Sequence, residues 1–255
     1  MLAPVATQIL AAALLAAIGV GLVVWARRVQ RRSPFRLTQA PIFALNYVLA
    51  RVLWRARIQG RIELPPGQGA VIVCNHRCPL DPSFIALAAD RLVHWMVARE
   101  YCEMPGLRLF FRLCEVIPVS RAGSDTGATK TAMRYARQGD LLGIFPEGRI
   151  NDTPRLLLPG RPGAAKIALI ARVPVIPCYI DGAPYDGTFY GCLFMPAKVR
   201  LRVGRPIDLA EYYGRENDRD VLEQLTHRFL REIAALAGEN DYPSELAGRF
   251  YKPRR

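Results

Sequence analysis

Residues 2–25 form an almost unbroken apolar run in which Gln8 is the one clearly polar side chain. A helix of about 20 apolar residues crosses the hydrocarbon core of a bilayer. The run therefore predicts a transmembrane or membrane-embedded helical segment over 1–26. No Lys or Arg precedes it, and Arg27, Arg28, Arg31, Arg32 and Arg36 follow it. A cleaved signal peptide has the reverse order and a shorter apolar stretch, so the reading here is an uncleaved anchor. The positive-inside rule then puts the rest of the chain in the cytoplasm. Within 27–60 the basic linker leads to Ile42, Leu45, Leu49, Val52 and Leu53 at helical spacing, with Arg51 and Arg55 beside them. That stripe predicts an amphipathic helix over 41–57. It suits a lipid interface, with Arg against headgroups, and equally a helix packed on protein.

Beyond Gly60 the period changes. Short β-rich apolar runs at 70–74, 95–98, 116–120, 141–145, 173–180 and 198–203 alternate with helical stretches at 82–89, 106–113, 127–138, 163–171 and 219–237. Continuous apolar strands separated by helices predict an α/β fold, a mostly parallel sheet flanked by helices. The predicted organisation is an anchor over 1–26, the linker and amphipathic helix over 27–60, one globular domain over 61–240, and a basic tail over 241–255.

Composition sharpens this in three ways. The net charge is +13, which suits an anionic partner: nucleic acid, anionic lipid, or an acidic substrate or carrier. Of 35 Lys and Arg, only Lys130, Lys166, Lys198 and Lys252 are Lys. Arg presents a planar fork to phosphate. The six cysteines form no CxxC pair, and Cys74, His76 and Cys78 have no second ligand cluster, so neither a metal site nor a disulfide framework is predicted.

The chemistry concentrates where the run AVIVC ends in Asn75-His76-Arg77-Cys78-Pro79-Leu80-Asp81. The carboxyl ends of strands are where open α/β sheets place ligands. A neutral imidazole can take a proton from a hydroxyl, and does so better when a carboxylate fixes its tautomer. A spacing of five points two side chains apart on a continuous helix. Pro79 and Pro82 make such a helix unfavourable, and a turn can bring Asp81 back to His76. Asp81 before Pro82 also fits the start of a helix, and the two roles are compatible. Arg121 and Glu147 arrive at the ends of two further predicted strands. Arg121 can bind an anion bidentately. Glu147, in a Pro-Glu-Gly turn, can hold a hydroxyl or an Arg side chain.

Asn75-His76-x4-Asp81 after an apolar strand resembles the first motif of the glycerolipid acyltransferase family. VIPVSR at 116–121 is similar to the second, and Phe145-Pro146-Glu147-Gly148-Arg149 to the third. Val175-Ile176-Pro177 is similar to the fourth. Lys166 follows Pro162-Gly163-Ala164-Ala165 as in many members. The motifs keep family order over 70–180. The third departs from the usual FPEG-Thr-Arg, since Arg149 follows Gly148 directly.

The resemblance implies a domain over 61–240 that moves an acyl group from acyl-CoA or acyl carrier protein to a lysophospholipid hydroxyl, lysophosphatidate first. His76 and Asp81 would be catalytic, and Asn75, Arg121, Glu147, Gly148, Arg149, Lys166 and Pro177 would bind substrate. No metal or cofactor is implied. The partners are the lysophospholipid acceptor, the acyl donor and membrane lipids, at a bacterial inner membrane with the domain facing the cytoplasm. Alternatives are another lysolipid such as a lyso-ornithine lipid, glycerol 3-phosphate, or a catalytically silent lipid-binding member. A serine hydrolase lacks its GxSxG elbow here. A nucleic-acid-binding protein would leave the ordered motifs unexplained.

Overall fold

A computed structural model describes residues 35–89, 91–120 and 125–248. The expected anchor over 1–26 lies outside them. Among the described residues no helix is long and apolar enough to cross a membrane. The chain divides into two compact units between Ala44 and Leu45, and the larger carries the sheet.

In chain order the elements are α1 (Ala40–Val52), β1 (Arg57–Gln59), β2 (Ala70–Cys74), α2 (Asp81–Ile85), β3 (Val93–Ala98), α3 (Arg99–Cys102) and α4 (Arg108–Leu113). They continue with β4 (Ile117–Val119), α5 (Thr126–Arg137), β5 (Leu141–Ile144), α6 (Gly163–Ala171), β6 (Val175–Asp181), β7 (Arg200–Val203) and α7 (Arg219–Ala237). The seven strands run in the order β1-β7-β6-β2-β5-β3-β4. All neighbours pair in parallel except β6 and β7.

The central position of β2 explains its sequence. All five of its residues are buried. Val71 and Val73 face one core with Ala132, Ala168, Leu225 and Phe229 from α5, α6 and α7. Ala70, Ile72 and Cys74 face the other, with Trp54, Phe84, Ile85 and Trp95. A strand covered on both faces needs apolar side chains at every position. The long helices end where their caps dictate. Asp125 accepts from the Ala128 amide at the start of α5. Asp218 opens α7, and Gly238 closes it at φ 99°.

Two stretches differ from the sequence pattern. The amphipathic helix stops at Val52 rather than 57. Arg55 turns the chain at φ 41°, and Arg57–Gln59 then joins the sheet edge beside β7. A three-residue edge strand reading Arg-Ile-Gln, in which only Ile58 is partly buried, is too short to print a period of two. The sheet therefore begins inside the segment assigned to the linker. The short helix α3 had no predicted counterpart.

The parallel register sets the site. Val73 lies opposite Ile144, and Cys74 opposite Cys178. The residues that follow β2 and β5 thus leave the sheet at the same edge.

Candidate active site

His76 leaves β2 two residues after its last strand position. The turn that follows brings Asp81 back, so that His76 Nδ1 lies 2.9 Å from Asp81 Oδ2. Asp81 is fully buried. Its Oδ2 also accepts the Arg77 amide at 2.6 Å and the Cys78 amide at 2.9 Å, while Oδ1 faces the Cys78 thiol at 3.4 Å. A buried carboxylate with this many donors is held as an anion-shaped acceptor. In the neutral tautomer whose Nδ1–H donates to this carboxylate, Nε2 is the ring's proton acceptor. The imidazole keeps a side-chain exposure of 16%. Among the described residues none bonds to Nε2.

The peptide of His76 is gripped from both sides by the segment after β5. Its N–H donates to Glu147 Oε1 at 2.7 Å, and its carbonyl accepts the Asn151 amide at 2.7 Å. The other oxygen of Glu147 accepts the Leu158 amide at 2.7 Å. Arg77 adds a further tie, its NH1 donating to the carbonyls of Asn151 at 3.0 Å and Thr153 at 3.1 Å. The Asn151 side chain in turn shapes this loop by bonding the Arg155 carbonyl and the Thr153 hydroxyl.

Glu147 is buried, and that burial pushes its carboxyl up to about 7, against the two amide hydrogen bonds and the Arg77 guanidinium, which pull it down. A free glutamate titrates at 4.5, so the folded protein holds this proton more tightly than the unfolded chain does. The stability it contributes is then complete below about 4.5 and is lost as pH rises through about 7. Thermal melts of the wild type and Glu147→Gln should diverge across that interval. The wild type should lose roughly 2–3 kcal/mol more than the variant on going from pH 4.5 to 7.5. Parallel melting curves at all pH values would reject an unusual Glu147.

The other sequence-derived site residues distribute unevenly. Asn75 is buried, and its amide pairs with both backbone groups of Ile180, donating to the carbonyl at 2.8 Å and accepting from the N–H at 2.7 Å. It clamps the end of β2 to β6 from a position almost closed to solvent. Glu147 likewise bonds backbone with both oxygens, which differs from a hydroxyl or guanidinium holder. Pro177 is buried inside β6, opposite Val73. Its ring packs over Gly204, where an added Cβ would meet Pro177 Cγ at 2.7 Å. An acyl chain therefore finds no open face of Pro177. Gly148 is exposed at φ 69° in the turn after Glu147. Arg149 is 34% exposed and has Asp152 Oδ1 at 3.3 Å from NH2. Lys166 is exposed in the first turn of α6. Arg121 lies outside the described residues; the strand before it, β4, is at the sheet edge, three strands from β2.

Arg77, Asn151 and the aromatic neighbours of His76 join the site without a signal in the sequence. Arg77 and Asn151 sit inside the recognised motif segments but make their contacts through backbone carbonyls, which no residue pattern encodes. Burial also pushes the Cys74, Cys78 and Cys178 thiols up, so they stay protonated and are poor nucleophiles. All six cysteines are free.

Residues 55–181 match the family model described as Acyltransferase. A 1-acyl-sn-glycerol-3-phosphate acyltransferase of Bacillus subtilis (strain 168) is 28% identical over 160 residues, 61% of this chain and 75% of that protein. A protein of the same name from Limnanthes alba is 25% identical over 172 residues, 65% of this chain and 59% of that one. In fold, the chain is similar to the crystal structure of the 1-acyl-sn-glycerophosphate (LPA) acyltransferase PlsC from Thermotoga maritima. The TM-score is 0.62 at 20% identity, over 89% of this chain and 90% of that chain.

Proposed function

Residues 55–181 are a domain of the acyltransferase family, and on that premise we propose that this enzyme acylates the free hydroxyl of lysophosphatidate, with acyl-CoA or acyl carrier protein as donor, to give phosphatidate. The observation that carries the reading is the His76–Asp81 pair at the end of β2, with Nε2 of the ring left to accept a proton. Nε2 takes the hydroxyl proton of the acceptor as its oxygen attacks the thioester carbon. Asp81, fixed by two backbone amides, stabilises the imidazolium that forms. When the tetrahedral intermediate collapses, the carbon–sulfur bond breaks and the imidazolium protonates the departing thiolate. Every proton is returned, so the cycle needs no metal or redox group.

Arg149 and Arg121 are assigned to the acceptor's phosphate, and the exposed Gly148 turn and Lys166 to the rim of the same binding region. Glu147 and Asn75 hold the backbone that carries His76 rather than the substrate. The setting proposed is the inner membrane, with the domain on its cytoplasmic side. The apolar run at 2–25 supplies an anchor. Leu45, Tyr47, Val48 and Val52 are exposed on α1, where Arg51 lies 5.3 Å from the Tyr47 ring. Such a face suits the headgroup region of a bilayer.

A second acceptor is favoured by one departure: Arg149 stands one residue earlier than in FPEG-Thr-Arg and shares its guanidinium with Asp152. A lyso-ornithine lipid or another lysophospholipid, neither of which ends in a phosphate monoester, then replaces lysophosphatidate, with glycerol 3-phosphate as the remaining phosphate-bearing alternative. The deciding experiment is acyl transfer by the purified protein in detergent, from acyl-CoA and separately from acyl carrier protein, to each of these acceptors. Lysophosphatidate should give the highest kcat/KM. Preference for a different lysolipid would retire lysophosphatidate, and no product with any acceptor would retire catalysis.

A further inference from the structure

The geometry points to Phe145 and Trp95 as positioning residues that set the plane of the His76 ring, so that Nε2 is presented to the incoming hydroxyl. The inference rests on the reading of His76 as the base. A single hydrogen bond from Nδ1 to Asp81 fixes one ring atom but leaves the imidazole free to pivot about that contact. The second constraint is a ladder of aromatic rings. His76 lies on Phe145 with centroids 3.8 Å apart and planes within 5°. Phe145 lies on Trp95 at 4.6 Å and 20°. Trp95 is itself buried.

The ladder is built into the sheet. Trp95 on β3 pairs in register with Gly143 on β5, and a Cβ at Gly143 would lie 2.5 Å from the indole ring. The bare glycine lets the indole lie flat against β5, and Phe145, two residues further on, stacks on it. Stacked neutral rings attract through burial and dispersion when offset, although their like quadrupoles weaken a fully face-to-face pairing. The attraction grows when one ring is a cation over the negative face of the other. The arrangement thus holds the neutral ring in place and also supports the imidazolium that forms when Nε2 takes the hydroxyl proton.

The test uses the full chain in detergent, with isotope-labelled histidine. There are three histidines, and His76→Gln identifies the signals of His76. His94 is an internal control, because it is stacked on a different ring, Tyr135, at 3.9 Å. Phe145→Leu should lower kcat about tenfold with KM for the acceptor within about twofold, the scale expected from a small misplacement of a reacting group. The His76 ring-proton signals should move downfield as the ring current of Phe145 is lost, with those of His94 unmoved. Phe145→Tyr should restore both readouts. If Phe145→Leu fails to fold, Trp95→Phe decides. It thins the second layer of the ladder, and the expectation is a smaller loss of kcat with a smaller shift at His76.

A kcat within twofold of wild type in Phe145→Leu, or in Trp95→Phe where that variant decides, overturns the inference, and so do unmoved His76 signals. A wild type that turns over but tolerates Phe145→Leu overturns this inference alone. A wild type inert towards every lysolipid overturns the role of His76 and the inference with it.

Discussion

His76→Ala is expected to lower kcat for acyl transfer by about a thousandfold, the scale of a lost general base, with KM for the acceptor little changed. The ring is partly exposed and its backbone contacts do not depend on the side chain. The variant should therefore fold, with a Tm lower by no more than a few degrees. Asp81→Asn separates charge from geometry. Its side-chain oxygen can still accept the Arg77 and Cys78 amides and the Nδ1 proton, but the negative charge that stabilises the imidazolium is gone. A loss of about a hundredfold is expected there. The check is steady-state kinetics on folded, monodisperse protein beside a melting curve. More than a tenth of wild-type activity in His76→Ala would remove the imidazole from the reaction.

Asn75→Ala should act on stability. The amide satisfies both backbone groups of Ile180 in the sheet interior, and alanine leaves a buried N–H and a buried carbonyl without partners. Each orphaned group costs about 1–3 kcal/mol, so a total of roughly 3–4 kcal/mol and a Tm lower by about 10 °C are expected. Asn75→Asp should be no better, because an oxygen would then face the Ile180 carbonyl. A residue that bound substrate would behave otherwise, with a normal Tm and a raised KM. That result would return Asn75 to the substrate-binding set.

The two variants show where sequence and structure part company. The apolar continuity of AVIVC, the alternation of strand and helix, and the caps at Asp125, Asp218 and Gly238 are local signals, and α6 and α7 follow them to the residue. The turn that returns Asp81 to His76 was legible from two prolines. What was not legible is which polar residues of the motifs face the cleft. Asn75 and Glu147 sit in the motifs as prominently as His76, yet both spend their side chains on backbone groups, those of Ile180 for Asn75 and those of His76 and Leu158 for Glu147. Residue type states that a group can bond, and only tertiary pairing states to what. The aromatic ladder was hidden for the same reason, since Phe145 and Trp95 each read as ordinary strand residues. The strand at 57–59 shows the opposite failure: its pairing with β7 made a strand of a segment too short and too charged to carry a signal.

The grip on His76 also has a kinetic meaning. Its two ends belong to residues 71 positions apart in sequence, and the Asn75 clamp spans 105. Contacts at such separations close late, because long loops must be ordered first. Helices such as α7 can form on their own schedule, but the base is not aligned until β2 has found both β5 and β6. During refolding from denaturant, recovery of catalysis should therefore trail recovery of helical signal, and a half-assembled chain should carry all the reactive side chains while remaining chemically idle.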